Sequence, residues 1–116
     1  MSTVVLASLL ACMVCMTAVA GETPAVRDKT LVAWVAPANL TQRGGSALTI
    51  EDGEDRFDAI VFGELAAGKW MAGSNVFSRT HKDQSAWPSE TADAKTVVQI
   101  AIVYKGKQIT VYRNGK

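Results

Sequence analysis

The chain has 116 residues, of which 48% are hydrophobic and 20% charged, and its formal net charge is +1. Its 12 Lys and Arg residues are scattered without a basic run, which argues against a dedicated nucleic-acid binder, and the composition argues against a disordered chain. We therefore expect an ordinary globular protein.

The first 20 residues carry no charged side chain and predict a cleaved signal peptide. Ala18-Val19-Ala20 fits the small-x-small pattern of signal peptidase, so we expect cleavage before Gly21. A retained membrane anchor is one alternative. Another is a lipoprotein anchor, because "LLAC" (residues 9–12) resembles a lipobox that ends at Cys12. The expected location is secreted, extracellular or periplasmic.

The two cysteines, Cys12 and Cys15, are spaced as C-x-x-C. Both lie inside the apolar targeting segment, so we interpret them as small hydrophobic residues rather than a redox or metal pair. Residues 21–29 are polar and predict a linker. Residues 30–116 suffice for one modest domain.

Short β-branched and aromatic segments between turn signals predict strands. The first four are expected at residues 30–35, 46–50, 57–65 and 70–74. Trp34 in the first strand alternates with apolar neighbours, which predicts a core position. In the third strand, Phe57, Ala59 and Val61 are expected on one face, and Ile60 and Phe62 on the other.

The end of the chain predicts a hairpin with strands at residues 96–104 and 108–113, and Gly106 supplies the positive φ of its turn. Val98, Ile100, Ile102 and Tyr104 share one face. Asn114-Gly115 then forms the strongest short hairpin signal in the chain. Residues 75–95 are polar and irregular, and loops of this length are often functional.

Six short strands without an amphipathic helix predict an all-β fold, an antiparallel β-sandwich. Two segments also resemble a known family: "AWVAPANL" (residues 33–40) and "IAIVYKGKQITVYRNGK" (residues 100–116). Over residues 29–116 the chain resembles the laminin-G-like, concanavalin A-like lectin/glucanase jelly roll.

The resemblance implies an opening edge strand with Trp34 packed inward, followed later by a central hairpin. The family's jelly roll is usually longer, so the resemblance implies that residues 30–116 are an incomplete, N-terminal portion of the domain. The strand that carries Tyr112 would then lie at an unpaired sheet edge.

Catalytic signals are few. His81 is the only histidine, and the chain has no nucleophile elbow, zinc-protease motif, P-loop or dinucleotide fingerprint. The acidic residues do not match the E-x-D-x-x-E pattern of the related glucanases. We therefore expect no enzymatic activity, while a longer parent protein remains open.

No cofactor is expected, with Ca²⁺ as the one alternative. The acidic turn "EDGEDRFD" (residues 51–58) lacks the glycine of an EF-hand loop at its sixth position. Laminin-G-like domains sometimes hold calcium at a rim, so the resemblance leaves this alternative open.

Carbohydrate binding is the favoured function, because sugars stack on aromatic planes beside a few fixed polar groups. The candidate ligand-binding residues are Trp87, Arg79, His81 and Trp70. Trp87 lies in the long irregular segment after Arg79 and His81, and its alternative role is to anchor that loop. Trp70 opens a strand, where we expect it to be half exposed.

The sequence thus predicts a secreted, non-catalytic binding module for carbohydrate or an extracellular protein, without nucleic-acid partners. Membrane contact is expected only through an uncleaved N-terminal segment. One alternative is an accessory domain fragment of a larger secreted glycoside hydrolase. Another is a structural or adhesion module with no small ligand.

Overall fold

The computed structural model describes residues 27–53 and 55–116. The predicted signal peptide, Cys12, Cys15, most of the predicted linker and Glu54 lie outside the described residues. None of the helical structure within these ranges is long and apolar enough to cross a membrane.

Six strands form the framework of the described chain. They are β1 (Lys29–Val35), β2 (Ser46–Glu51), β3 (Phe57–Phe62), β4 (Trp70–Ser74), β5 (Val98–Lys105) and β6 (Gln108–Arg113). All six predicted strands are confirmed, with ends shifted by at most three residues. The largest shift is in β3, which ends at Phe62 because Gly63 turns the chain with a φ of +73°.

The strands form two antiparallel three-stranded sheets, with the orders β1-β5-β6 and β2-β3-β4. The second sheet is a simple meander, whereas the first joins the earliest strand to the final hairpin. The all-β class is therefore confirmed. Among the described residues β6 pairs only with β5, so its other side is a sheet edge.

One apolar cluster draws on both sheets and forms the main core. Its buried members are Leu31, Ile60, Phe62, Trp70, Ala72, Ala92, Val98, Ile100, Ile102 and Tyr104. The inward face predicted for β5 is confirmed, since all four of its residues belong to this cluster. Full burial of each large aliphatic side chain contributes about 1.5–3 kcal/mol.

The outer face of β3 is covered as well. Ala59, Val61 and Met71 form a second buried cluster, and Phe57, Leu65 and Phe77 pack against it. The predicted division of β3 into two faces is confirmed, because Ile60 and Phe62 belong to the main core instead. β3 is thus buried on both sides, and so is β4, which places Trp70 and Ala72 in the main core and Met71 in the second cluster.

The predicted core position of Trp34 is wrong, because 67% of its surface is exposed. In β1, Leu31 is the residue that enters the core, so the alternate positions Val32 and Trp34 face outward. Val32 and Tyr112 both pair with Ala101 of β5, so they share this outward face with Trp34. Because residues 31–35 of β1 are all apolar, the sequence pattern did not show which face of the strand is inward.

Both predicted turns are present. Gly106 has a φ of +57° between β5 and β6. Asn114 and Gly115 have φ of +48° and +76°, and the backbones of Arg113 and Lys116 exchange hydrogen bonds of 2.9 and 3.1 Å. Two successive positive φ values are what a type I′ turn requires.

Gly63→Ala is expected to destabilise the fold more than Gly53→Ala. Both glycines have positive φ, but a Cβ on Gly63 would lie 2.5 Å from the Gln42 carbonyl oxygen, while a Cβ on Gly53 would have no neighbour within 4 Å. We expect a loss of about 1–2 kcal/mol for Gly53→Ala and about 1–3 kcal/mol more for Gly63→Ala. Urea unfolding of both variants measures the difference, and equal losses would show that the Gln42 contact imposes no constraint.

Candidate functional site

Residues 75–97, here called the long loop, join β4 to β5. The predicted irregularity is confirmed, since the loop contains only a single 3₁₀ turn at Asn75–Phe77. Val76 and Phe77 have φ of +47° and +55°, a conformation that β-branched and bulky residues rarely adopt. Backbone strain of this kind persists only where the surroundings hold it in place.

A buried carboxylate fixes the far end of the long loop. The Glu90 side chain has no exposed surface. It accepts hydrogen bonds from the Trp70 indole at 2.9 Å and from two nitrogens of Arg113 at 2.9 and 2.8 Å. The backbone N–H groups of Thr91 and Ala92 donate at 2.9 and 2.8 Å.

Glu90 thereby ties the long loop to both sheets, because Trp70 belongs to β4 and Arg113 to β6. The Arg113 guanidinium is the main cause that lowers the pKa of Glu90 to about 2, and it outweighs the opposing effect of burial. The Ala92, Trp70 and Thr91 donors lower this pKa further. The carboxylate is therefore charged throughout the physiological range.

The expected half exposure of Trp70 is wrong. Only 7% of its surface is exposed, and its ring packs tilted against Phe62 with centroids 4.8 Å apart. Its indole N–H is occupied by Glu90. Trp70 therefore supports the loop from within the core, and no stacking surface is left for a ligand.

Trp87 is half-buried. Its backbone N–H donates to the Gln84 carbonyl, and its own carbonyl accepts from the Lys69 ammonium. The indole lies edge-on to the His81 imidazole, with ring centroids 6.0 Å apart. The residue thus anchors the loop through its backbone and keeps part of its ring at the surface.

A cavity of about 360 Å³ opens between the start of the long loop and the β5–β6 turn; we call it the loop cavity. It is lined by Arg27, Ser78, Arg79, Thr80, His81, Tyr104, Gly106, Lys107 and Ile109. Two candidate residues, Arg79 and His81, belong to its walls, and Trp87 contacts His81 from outside the lining. The structure therefore brings three of the four candidates together and separates Trp70 from them.

A second buried carboxylate positions Arg79. Asp58 is 4% exposed and contacts the Arg79 Nε at 2.7 Å and the Lys29 Nζ at 2.6 Å. Arg79 also donates through Nη2 to the Phe57 carbonyl at 3.1 Å. The guanidinium is thereby fixed at the cavity wall, with 43% of its side chain still exposed.

The protonation of one polar group in His81 and of one in Tyr104 follows from their surroundings. The His81 Nε2 lies 3.1 Å from the Ile109 carbonyl oxygen, and since a carbonyl only accepts, Nε2 carries a proton and donates it to this hydrogen bond. Burial, and secondarily the Asp58 charge, raise the pKa of Tyr104. Its hydroxyl therefore stays protonated.

A different cavity of about 410 Å³ lies outside β3, and Ala59 and Val61 contribute to its lining. Its cation, Arg43, already donates to the carbonyls of Gly63 and Glu64 at 2.7 and 3.2 Å. None of the candidate residues from the sequence lines it. The loop cavity is therefore the better candidate site.

In the acidic turn, the Asp52 carboxylate forms an ion pair of 2.7 Å with Arg56. Across the part of the chain that the structure describes, no group of three or more His, Cys, Asp or Glu residues could hold a metal ion. No protein-family model, curated protein or solved structure matches this chain.

Among the lining residues of the loop cavity that were not predicted from the sequence, three carry a charge or a buried hydroxyl: Arg27, Tyr104 and Lys107. They come from separate segments, which only the folded chain brings together. Tyr104 could have been identified from the sequence, because it is the one residue with a polar group on the inward face predicted for β5. A buried Tyr hydroxyl usually has a hydrogen-bond partner.

Glu90→Gln is expected to lower the free energy of unfolding by about 1–3 kcal/mol, because it removes the buried charge that pairs with the partly exposed Arg113 and breaks part of the buried hydrogen-bond set. The matched control is Asp83→Asn in the same loop, where an exposed carboxylate bonds only to Ser85 and the loss should stay below about 1 kcal/mol. Denaturant unfolding of both variants is the measurement. Similar losses in the two would refute the anchoring role of Glu90.

The contribution of Glu90 to stability is expected to depend on pH. Its pKa is lowered on folding from 4.5 to about 2, so the folded state favours the charged form, and the stabilisation is present above the unfolded pKa. The stability difference between the native chain and Glu90→Gln should therefore shrink as the pH falls from 4.5 towards about 2. Unfolding curves across this range test it, and a constant difference would contradict it.

Proposed function

We propose that the chain is a secreted, non-catalytic binding module that recognises carbohydrate at the cell surface or in the extracellular space. The loop cavity carries this proposal, because Arg79 and His81 line it and the partly exposed ring of Trp87 adjoins His81. Sugar sites combine an aromatic surface with a small number of fixed polar groups.

The anchoring of the long loop supports a preformed site. Glu90 ties the loop to β4 and β6, and Asp58 ties Arg79 to β3. The His81 imidazole is further held by the Ile109 carbonyl of β6. A ligand would therefore not have to order the loop, and this lowers the entropic cost of association.

We propose, more specifically than the all-β class, that residues 30–116 are part of a laminin-G-like, concanavalin A-like jelly roll. Two antiparallel three-stranded sheets with a shared core support it. The outward position of Trp34 departs from the inward packing that the resemblance implied. The proposal therefore depends on the strand pattern rather than on that residue.

Two alternatives also treat the chain as a non-catalytic module, but they assign it a different role. As an accessory domain of a larger secreted glycoside hydrolase, the chain would use the same cavity to hold the substrate polymer. As a structural or adhesion module, it would instead use the apolar outward face of β1-β5-β6, where Trp34 is 67% and Tyr112 37% exposed.

A glycan array probed with the full chain and three variants tests the proposal. Trp87→Ala should weaken glycan binding by about tenfold or more, as truncation of an aromatic anchor does. Trp87→Phe should recover part of the loss, because it restores an aromatic plane. Trp34→Ala is the matched control, since it removes a more exposed indole that lies away from the loop cavity.

Thermal unfolding of each variant accompanies the array, so that a loss of binding is not mistaken for unfolding. Undiminished binding by folded Trp87→Ala would refute stacking at this site. A loss of binding in Trp34→Ala alone would move the glycan site to the outward sheet face. Absence of binding to every glycan would favour the structural alternative over the proposal.

A further inference from the structure

We infer that the loop cavity binds an anionic oxygen group, a carboxylate or a sulfate, carried by the sugar that the module recognises. The choice of a sugar as carrier rests on the proposed function. The anion site does not depend on it, because it follows from the charges and donors of the cavity itself.

The cavity wall is cationic. Arg27, Arg79 and Lys107 line it, and no acidic residue belongs to its lining. They come from three separate places: the segment before β1, the long loop and the β5–β6 turn. Like charges gathered from distant segments repel each other, so an anion in the cavity would relieve this repulsion.

Two carboxylates near the cavity are already engaged. Asp58 is paired with Lys29 and Arg79. Asp28 accepts a hydrogen bond of 2.9 Å from the backbone N–H of Gly106. Even when Lys29 and both carboxylates are counted with the three lining cations, positive charge exceeds negative charge around the cavity.

An unpartnered hydroxyl gives an independent indication of a ligand. Tyr104 lines the cavity and is 4% exposed, and within the described residues its hydroxyl is buried without a hydrogen-bond partner. A buried hydroxyl without a partner costs about 1–3 kcal/mol. A ligand oxygen would remove this cost and receive an O–H donor.

Arg79 offers a fixed guanidinium in the lining of the same cavity. Its Nε is bound to Asp58 and its Nη2 to the Phe57 carbonyl, so neither contact uses Nη1. Hydrogen bonds from charged donors to anionic oxygens are roughly twice as strong as neutral ones. A carboxylate or sulfate therefore fits the donor set better than an uncharged hydroxyl does.

Calorimetric titration of the full chain with matched probes tests the inference. The probes are a neutral galactan oligosaccharide, an oligogalacturonate, a sulfated galactan and inorganic sulfate. We expect at least one anionic glycan to bind about tenfold or more tightly than the neutral one, and this preference should fall as salt is added. The oligogalacturonate and sulfated galactan distinguish a carboxylate from a sulfate.

Lys107→Gln and Lys105→Gln form the matched pair of variants. Both residues are exposed and flank Gly106, Lys105 as the last residue of β5 and Lys107 in the turn, but only Lys107 lines the cavity. The preference for the anionic glycan should shrink several-fold in Lys107→Gln and persist in Lys105→Gln. An equal effect in both would indicate general attraction by surface charge and would overturn the inference.

Tyr104→Phe removes only the hydroxyl. It should weaken binding of the anionic glycan while thermal stability is maintained or slightly raised, because an unsatisfied buried group disappears. Loss of stability would reveal a structural partner for this hydroxyl and remove its support for a ligand site.

The two proposals fail in different ways. Equal affinity for neutral and anionic glycans would overturn the anion site and leave carbohydrate binding intact. Binding of inorganic sulfate that depends on Lys107, without binding of any glycan, would support the anion site and refute the carbohydrate function. Absence of binding to all four probes would overturn both.

Discussion

The buried carboxylate of Glu90 is the constraint on which the rest of the structure depends. The long loop has almost no regular structure, so its position cannot come from backbone hydrogen bonding within an element. Glu90 supplies that position by accepting from Trp70 of β4 and Arg113 of β6 as well as from its own loop. A buried charge is tolerated only when its partners are in place, which favours a single placement of the loop.

Asp58 acts in a similar way near the cavity. It lies on the inward side of β3, where an apolar residue would be expected, and its charge is balanced by Lys29 and Arg79. The cost of burying this carboxylate is offset by the two cations. As a consequence, Arg79 is held at the wall of the loop cavity, which Thr80 and His81 also line.

The described chain therefore presents two contrasting surfaces. The loop cavity is concave and cationic, with polar donors that are fixed by contacts to β3 and β6. The outward face of β1-β5-β6 exposes Val32, Trp34 and Tyr112. A concave polar site suits a small polar ligand or a chain end, whereas an exposed apolar face is typical of protein contact. This contrast is why the two proposals, ligand binding in the cavity and adhesion through the sheet, can be separated by single substitutions.

The sequence by itself determined the strands, the two turns and the inward face of β5, because alternation and Gly-containing turns act over a few neighbouring residues. It did not determine which face of β1 is inward, since Val32, Trp34 and Val35 are all apolar and only pairing with β5 selects Leu31 for the core. Arg79, His81 and Trp87 were predictable as neighbours within one loop. Only the tertiary structure places Tyr104 and Lys107 beside them around one cavity. The reason is that the position of the long loop depends on ion pairs between residues that are more than 20 positions apart in the chain.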